Sequence, residues 1–156
     1  MSWTNARLII PRLIAEDSTQ AIKILGGLLY DEGYVRDTFI EAVLEREKNF
    51  ATGLPTSEIQ IAIPHADIEH VIRPAIAVGV LERPITFGEM GNPDGTVDVK
   101  LVCMLAVTKS EALVSLLKNL VEIFQSVDLL QQIVKTDDSS AIAAIFNESL
   151  AEHQDE

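Results

Sequence analysis

One histidine in this chain stands where a side chain could do chemistry. His65 follows Pro64, which ends a run of alternating isoleucines, IQIAI, at residues 59–63. This alternation predicts a β-strand, and the strand should stop at Pro64 because proline has no N–H to donate to a sheet. We therefore expect His65 at a strand end, where open α/β sheets bind ligands. An imidazole there can serve as a base, a metal ligand or a nucleophile.

A metal site is one alternative, because Asp67 and His70 follow His65 at short spacing. Residues two apart in an extended chain share a face, but a residue five apart lies on the opposite face or in another element. No second cluster of histidine, aspartate and cysteine completes the three or four ligands that a metal needs. The spacing therefore argues against a metal, and His70 and His153, in polar contexts, are expected on the surface.

Other familiar chemistries lack their motifs. The sequence contains no G-x-S-x-G, G-x-x-x-x-G-K-[ST] or G-x-G-x-x-G, so neither a serine hydrolase nor a glycine-rich phosphate loop is indicated. Gly26 and Gly27 lie inside a helical pattern and predict close helix packing instead. Cys103 lies in an apolar stretch, where a thiol is neutral and inert, so we expect it in the core.

Arg46 is a second candidate, because it lies near the end of a predicted helix in the sequence LERE. An exposed helical arginine often pairs with a neighbouring glutamate, and the local sequence favours that structural role. The functional alternative is that its guanidinium reaches an anion held at His65.

The elements that position these side chains begin with two helices. Ser18 starts an amphipathic helix that should end near Gly33. Thr38 and Glu41 have capping-box spacing before a second helix, which is expected to run to about Lys48. Helical periodicity later in the chain predicts three more helices, a long one from residue 110 and two short ones at 129–134 and 141–150.

Apolar runs between these helices predict strands at residues 7–10, 59–63, 75–81 and 97–107. Pro11 should stop the first, and the near-continuous run in the last is typical of a central strand covered on both faces. Glycine and proline at residues 52–57 and 87–95 predict a loop and a turn region. The order of elements predicts an α/β fold, a mixed β-sheet flanked by helices on both faces.

Length and composition limit the class of protein. The 156 residues, 47% of them hydrophobic, suit a single layered domain over residues 1–156 that ends in an acidic tail at 151–156. The apolar runs are far shorter than the roughly 20 residues of a membrane span, and the N-terminus lacks a signal-peptide pattern. A single cysteine fits a reducing compartment, so a cytoplasmic protein is expected.

The charge of the chain restricts its partners. Acidic residues number 24 and basic residues 12, which gives a net charge of −12. Such a surface repels nucleic acid and anionic membranes. It would attract a partner with a basic docking patch, although the charge by itself is also explained by solubility.

Several segments, in this order and at this spacing, resemble the enzyme IIA domain of the fructose/mannitol class in the bacterial sugar phosphotransferase system (PTS). The matching segments are Arg46-Glu47, Thr52-Gly53, IAIPH at 61–65, RPAIAVG at 73–79, PITFG at 84–88, VDVKLV at 97–102 and the leucine-rich helix at 113–128. The resemblance covers roughly residues 5–150, nearly the whole chain.

The resemblance implies a function and a set of site residues. Family members accept a phosphoryl group on the strand-end histidine from the phosphocarrier HPr and pass it to a cysteine of a IIB partner, and a membrane IIC partner selects the sugar. His65 matches that histidine, and Arg46 matches an arginine near it. Asp67 or a backbone carbonyl could bind the other ring N–H and fix the tautomer. No cofactor is implied, because the donor carries an activated phosphoryl group.

Two features indicate which members of this family the chain resembles most. The extra length at residues 54–60 is more like galactitol-type than mannitol-type IIA proteins. Mannitol-type members carry a second histidine at the start of the helix after the central strand, where this chain has Ala112. Galactitol-type members also lack that histidine, so the resemblance is closest to them and the loss need not abolish transfer. Nitrogen-regulatory IIA proteins share the fold and the histidine, so a signalling role is the alternative.

Overall fold

The structure, a computed structural model, describes residues 2–56 and 58–154. Its helices are α1 Ser18–Asp31, α2 Phe39–Asn49, α3 Ser110–Ile123, α4 Val127–Lys135 and α5 Ser139–Gln154. Its strands are β1 Ile9–Leu13, β2 Gly53–Leu54, β3 Ile61–Ala62, β4 Ala75–Glu89 and β5 Asn92–Ala106. Short 3-10 helices cover Ala6–Leu8 and Ile68–His70.

The five strands form one mixed sheet built around a long hairpin of β4 and β5. These two strands pair antiparallel, β1 lies parallel to β4, and β3 lies parallel to β5. The short β2 pairs antiparallel with β3 and also meets the far end of β4, where Gly53 lies opposite Glu89. The hairpin therefore curls, and its far end returns to the segment that precedes the histidine.

Helices cover both faces of the sheet, as the sequence predicts. The cluster on one face joins α1 and α2 to side chains such as Ala77, Val102 and Met104. The cluster on the other face joins α3, α4 and α5 to side chains such as Val78 and Cys103. From Leu101 to Ala106, successive residues of β5 enter opposite clusters, because side chains alternate along a strand, and both faces of this part of β5 are buried.

Two expectations about the first half of the chain are wrong in detail. Pro11 does not stop the first strand but lies within β1. It is tolerated there because β1 is an edge strand whose register shifts between Ile10 and Leu13. The capping box of α2 does not form: Thr38 makes no side-chain cap, because its hydroxyl is 2.8 Å from Nδ1 of His70.

The predicted loop and turn regions are shorter than expected, and the last helix is longer. Gly53–Leu54 forms β2, and most of the glycine-rich stretch at 87–95 is paired strand, with the turn at Met90 and Gly91. Gly91 permits this turn because its φ of 76° suits glycine. Helix α5 continues to Gln154, so residues 151–154 of the predicted tail are helical.

Within the part of the chain that is described, none of the helices combines the length and hydrophobicity that crossing a membrane would require.

Candidate functional site

His65 follows β3, close to the strand end at which it is expected, and its side chain is buried. The residue is 5% exposed. Regular pairing of β3 stops at Ala62, earlier than the predicted end at Pro64. The carbonyl of Pro64 nevertheless accepts the N–H of Leu105 at 3.0 Å, and His65 forms an isolated parallel bridge with Leu105. The end of β3 is therefore held against the central strand, and the backbone of the histidine is fixed.

A backbone carbonyl orients the His65 ring. Nδ1 of His65 is 2.8 Å from the carbonyl oxygen of Ile63. A carbonyl oxygen accepts hydrogen bonds and cannot donate them, so Nδ1 carries the proton. In the neutral imidazole, Nε2 is then the nitrogen with the free lone pair.

The surroundings of the ring favour its neutral form. Burial is the largest effect and lowers the pKa of His65 below its ordinary value. The hydrogen bond to Ile63 and the charge of Asp67 act to raise this pKa, and the positive charge of Arg46 acts to lower it. Because the net shift is downward, His65 is available as a neutral nucleophile at physiological pH.

Arg46 comes from the last turn of α2 and lies beside the histidine. Its Nη1 is 3.5 Å from Oδ1 of Asp67, and its guanidinium carbon is 5.6 Å from the centre of the Phe50 ring. The side chain is 38% exposed, but its Nε is buried and has no hydrogen-bond partner among the described residues. A buried donor without a partner is costly, and a bound anion would satisfy it.

Asp67 is placed differently from the expectation. Its side chain is 71% exposed and pairs with Arg46. The orienting contact to the His65 ring comes from the Ile63 carbonyl, which was the alternative to Asp67. Asp67 therefore acts on the ring through its charge and through its pairing with Arg46.

A cavity of about 720 Å³ opens beside His65 and Arg46. It is bounded by the end of α2, by the tip of the β4–β5 hairpin and by one leucine of α3. The other residues that line it are Glu47, Lys48, Asn49, Phe50, Ala51, Thr52, Gly88, Glu89, Met90, Gly91, Asn92, Pro93 and Leu117. The hairpin was not expected at the site, because its approach depends on the curl of the sheet.

The α3 side of the cavity is apolar, in keeping with the absence of a second histidine. Ala112 is half-buried in the first turn of α3, and Leu117 is the residue that α3 contributes to the cavity lining. Polar groups reach the cavity from α2 and from the hairpin instead, among them Asn49 and Asn92.

Glu47 and Thr52 form a contact that the sequence did not predict. Oε2 of Glu47 accepts the backbone N–H of Thr52 and Oε1 accepts its hydroxyl, each at 2.7 Å. Burial raises the pKa of Glu47, although the two hydrogen bonds from Thr52 oppose that shift. The segments Arg46-Glu47 and Thr52-Gly53 belong to the resemblance described above, which assigned no role to Glu47.

Within the described part of the chain, the other residues considered from the sequence do not line the cavity at His65. Nδ1 of His70 faces the Thr38 hydroxyl, and no group of metal-ligating side chains occurs among the described residues. The side chain of His153 lies outside the described part of the chain. Cys103 is buried in the core as expected, and burial raises its pKa, which keeps the thiol protonated.

The sequence matches one protein family over nearly its full length. Residues 2–149 match the family described as the phosphoenolpyruvate-dependent sugar phosphotransferase system, EIIA 2. This extent agrees with the resemblance indicated by the order and spacing of the matching segments.

Curated relatives include phosphotransferase components and a transcriptional regulator. The mannitol-specific phosphotransferase enzyme IIA component of Bacillus subtilis is 30% identical over 132 residues, 83% of this chain and 85% of that protein. The galactitol-specific EIIA component of Escherichia coli K12 is 28% identical over 118 residues, 76% of this chain and 78% of that protein. The transcriptional regulator ManR of Bacillus subtilis is 37% identical over 105 residues, 67% of this chain and 14% of the regulator. The chain also spans about 20% of the mannitol-specific EIICBA component of Buchnera aphidicola.

Solved structures share the fold. The complex of enzyme IIAMTL and phosphorylated enzyme IIBMTL from Escherichia coli matches with a TM-score of 0.73 and 24% identity, over 95% of this chain and 96% of that one. Nitrogen regulatory protein IIA-Ntr from Neisseria meningitidis matches with a TM-score of 0.70 and 23% identity, over 92% and 95%. At these identities the likeness is one of fold, and the family assignment depends on the sequence matches. The chain therefore belongs to the EIIA 2 family of the phosphoenolpyruvate-dependent sugar phosphotransferase system and is a phosphotransferase component.

Proposed function

We propose that this protein accepts a phosphoryl group from phospho-HPr on Nε2 of His65 and passes it to a cysteine of a IIB partner. The observation that carries the proposal is the contact of 2.8 Å between Nδ1 of His65 and the Ile63 carbonyl, beside Arg46. This contact leaves Nε2 as the nucleophile, and the nearby guanidinium can stabilise negative charge.

The proposed chemistry needs positioning more than proton transfer. The lone pair of Nε2 attacks phosphorus while the bond between phosphorus and the donor's imidazole nitrogen breaks. The transition state spreads negative charge over three equatorial oxygens, so a fixed ring and a nearby cation lower its free energy. The buried Nε of Arg46 is one donor that an incoming phosphoryl oxygen would satisfy.

The direct test is labelling of the full chain with phosphoenolpyruvate, enzyme I and HPr, followed by intact mass and ³¹P–¹⁵N NMR of the product. We expect one acid-labile phosphoryl group on Nε2 of His65. His65→Ala should abolish labelling, whereas His70→Ala and His153→Ala should still be labelled. A phosphorylated His65→Ala protein would overturn the proposal.

The relatives support a choice of acceptor and substrate. The enzyme IIAMTL structure is a complex with phosphorylated enzyme IIBMTL, which supports a IIB acceptor. By the family resemblance, we propose that this transfer takes place in the cytoplasm and serves a membrane IIC component. The named substrates of the two IIA relatives, mannitol and galactitol, are both six-carbon polyols, which supports uptake of a polyol of this class. We favour galactitol because of the residues at 54–60 and because of Ala112.

Transfer from the phosphorylated chain to purified IIB domains tests this choice. Galactitol-specific IIB should be phosphorylated faster than mannitol-specific IIB under identical conditions. The reverse order would replace galactitol by mannitol and leave the carrier function intact.

A regulatory role is the second candidate, in which phosphorylation of His65 switches a binding surface. The identity of 37% to a segment of the regulator ManR favours it, and the fold of IIA-Ntr agrees with it. The two roles differ in turnover. A carrier returns to the unphosphorylated state within seconds of adding a competent IIB domain, whereas a switch keeps its phosphoryl group with every IIB domain offered.

A further inference from the structure

We propose that Glu47 is a positioning residue for phosphoryl transfer, which locks the end of α2 against β2 so that Arg46 faces His65. This inference rests on the proposed function of His65. Glu47 does not act on the phosphoryl group itself in this proposal; it acts through the placement of its neighbour.

The lock consists of two short hydrogen bonds. The two carboxylate oxygens of Glu47 accept the N–H and the hydroxyl of Thr52, each at 2.7 Å. Thr52 is 3% exposed, so both of its donors are removed from water and need these acceptors. The contact closes the connection between α2 and β2, a segment of only a few residues.

A series of backbone contacts joins this lock to the histidine. The carbonyl of Thr52 accepts the N–H of Ile63 at 3.3 Å, and the carbonyl of Ile63 accepts from Nδ1 of His65 at 2.8 Å. Gly53, the next residue, pairs with Ala62 in β3. The end of α2 and the imidazole are therefore connected through one continuous set of hydrogen bonds.

Arg46 depends on this lock because its own side-chain contacts are weak. Its partner Asp67 is mostly exposed and 3.5 Å away, and its Nε has no partner in the described residues. Exposed ion pairs contribute little to the placement of a side chain. Each helical residue is turned about 100° from the one before, so a rotation of the last turn that releases Glu47 also swings Arg46 away from the cavity.

The first experiment compares three glutamate variants of the full chain. Glu47→Ala removes both acceptors, Glu47→Gln keeps the length and polar end of the side chain, and Glu41→Ala removes an exposed glutamate from the same helix. We expect Glu47→Ala to lower kcat for transfer from phospho-HPr by on the order of tenfold to a hundredfold with little change in KM. Glu47→Gln should restore most of the rate, and Glu41→Ala should match the parent.

A double-mutant cycle separates positioning from mere stability. If Glu47 acts through Arg46, Glu47→Ala should have almost no further effect in an Arg46→Ala background. The ¹⁵Nε chemical shift of Arg46 should also differ from that of an exposed arginine in the parent and move to the averaged, exposed value in Glu47→Ala, and this readout does not require transfer. Thr52→Val, which removes one donor and leaves Glu47 in place, should reproduce part of both effects even where Glu47→Ala does not fold.

Two results would overturn the proposal: an unchanged kcat in a folded Glu47→Ala protein, or equal losses from Glu47→Ala with and without Arg46. Failure of the proposed function has a different signature. In that case the parent takes no phosphoryl group on His65, while the Arg46 signal still reports whether the lock positions the guanidinium.

Discussion

At the scale of single residues, the site combines a buried histidine with a half-exposed arginine. The Ile63 carbonyl fixes one nitrogen of His65 and leaves the other for chemistry. Burial favours the neutral form of the ring, and in the proposed transfer Arg46 would supply the positive charge that a phosphoryl group needs. Burial has the opposite effect on the reactivity of Cys103, because it raises the pKa of the thiol. The thiol therefore stays protonated in the core and is unsuited to transfer.

Replacement of Arg46 should slow transfer without unfolding the protein. Its side chain is 38% exposed, so Arg46→Ala removes little core packing. Loss of one charge-assisted contact to the transition state should raise the barrier by about 2–3 kcal/mol. Stopped-flow transfer from phospho-HPr measures this, with Arg12→Ala as the control, since Arg12 pairs with Asp137 on the surface at β1. A parent-like rate would return Arg46 to a structural role.

The transfer rate should fall on the acid side as His65 becomes protonated. Because burial lowers the pKa of His65, the midpoint should lie below the ordinary histidine value of about 6.5. The free energy of unfolding should change with pH in the same direction as the rate. A histidine whose pKa is lowered by folding contributes stability above its unfolded pKa, and that contribution is lost as pH falls through the folded pKa. NMR titration of the His65 ring gives the value directly. A midpoint at or above 6.5 would contradict the effect of burial.

At the scale of elements, the site depends on where α2 ends and where the β4–β5 hairpin turns. The last turn of α2 carries Arg46 and Glu47, and its direction is set by the packing of α2 on α1. Gly26 of α1 allows this close approach: a Cβ there would lie 2.6 Å from Cγ1 of Ile40. Gly27, the next residue, has no such neighbour within 4 Å.

These two glycines should respond oppositely to alanine. Gly27→Ala should stabilise the protein by about 0.5–1 kcal/mol, because alanine is the better helix former and nothing opposes its methyl group. Gly26→Ala should destabilise it by about 1–2 kcal/mol, because Ile40 must move. Urea unfolding of both variants measures the difference in the free energy of unfolding. Equal stabilisation by both would mean that α1 and α2 are less closely packed than the structure indicates.

At the scale of the whole molecule, the helical layers form the core and the negative charge determines which partners the surface attracts. Two helical layers bury both faces of the sheet, and the net charge of −12 lies on a surface that a basic partner would approach favourably. The organisation of residues 1–156 as one domain stays a prediction.

Association with the donor should depend on salt. The bimolecular rate constant for transfer from phospho-HPr should fall as ionic strength rises from about 0.01 M to about 0.15 M, where the screening length shortens from about 30 Å to about 8 Å. The rate at saturating donor should change much less, since the bound complex is formed in both cases. A flat salt response would leave solubility as the sufficient explanation of the charge.

The sequence alone determined the fold class, the strand-end histidine and the helices on both faces, because these depend on local periodicity and on a proline that breaks it. It also gave Arg46 as a candidate, through its place in an ordered set of motifs. Tertiary structure decided what periodicity does not encode. The curl of the hairpin brings residues 88–93 to the cavity, the Ile63 carbonyl rather than Asp67 holds the ring, and Glu47 bonds Thr52. The approach of the hairpin is fixed by how distant strands and helices pack. The other two contacts are local, but they depend on the backbone conformation after β3 and after α2, which the residue types and their spacing do not specify.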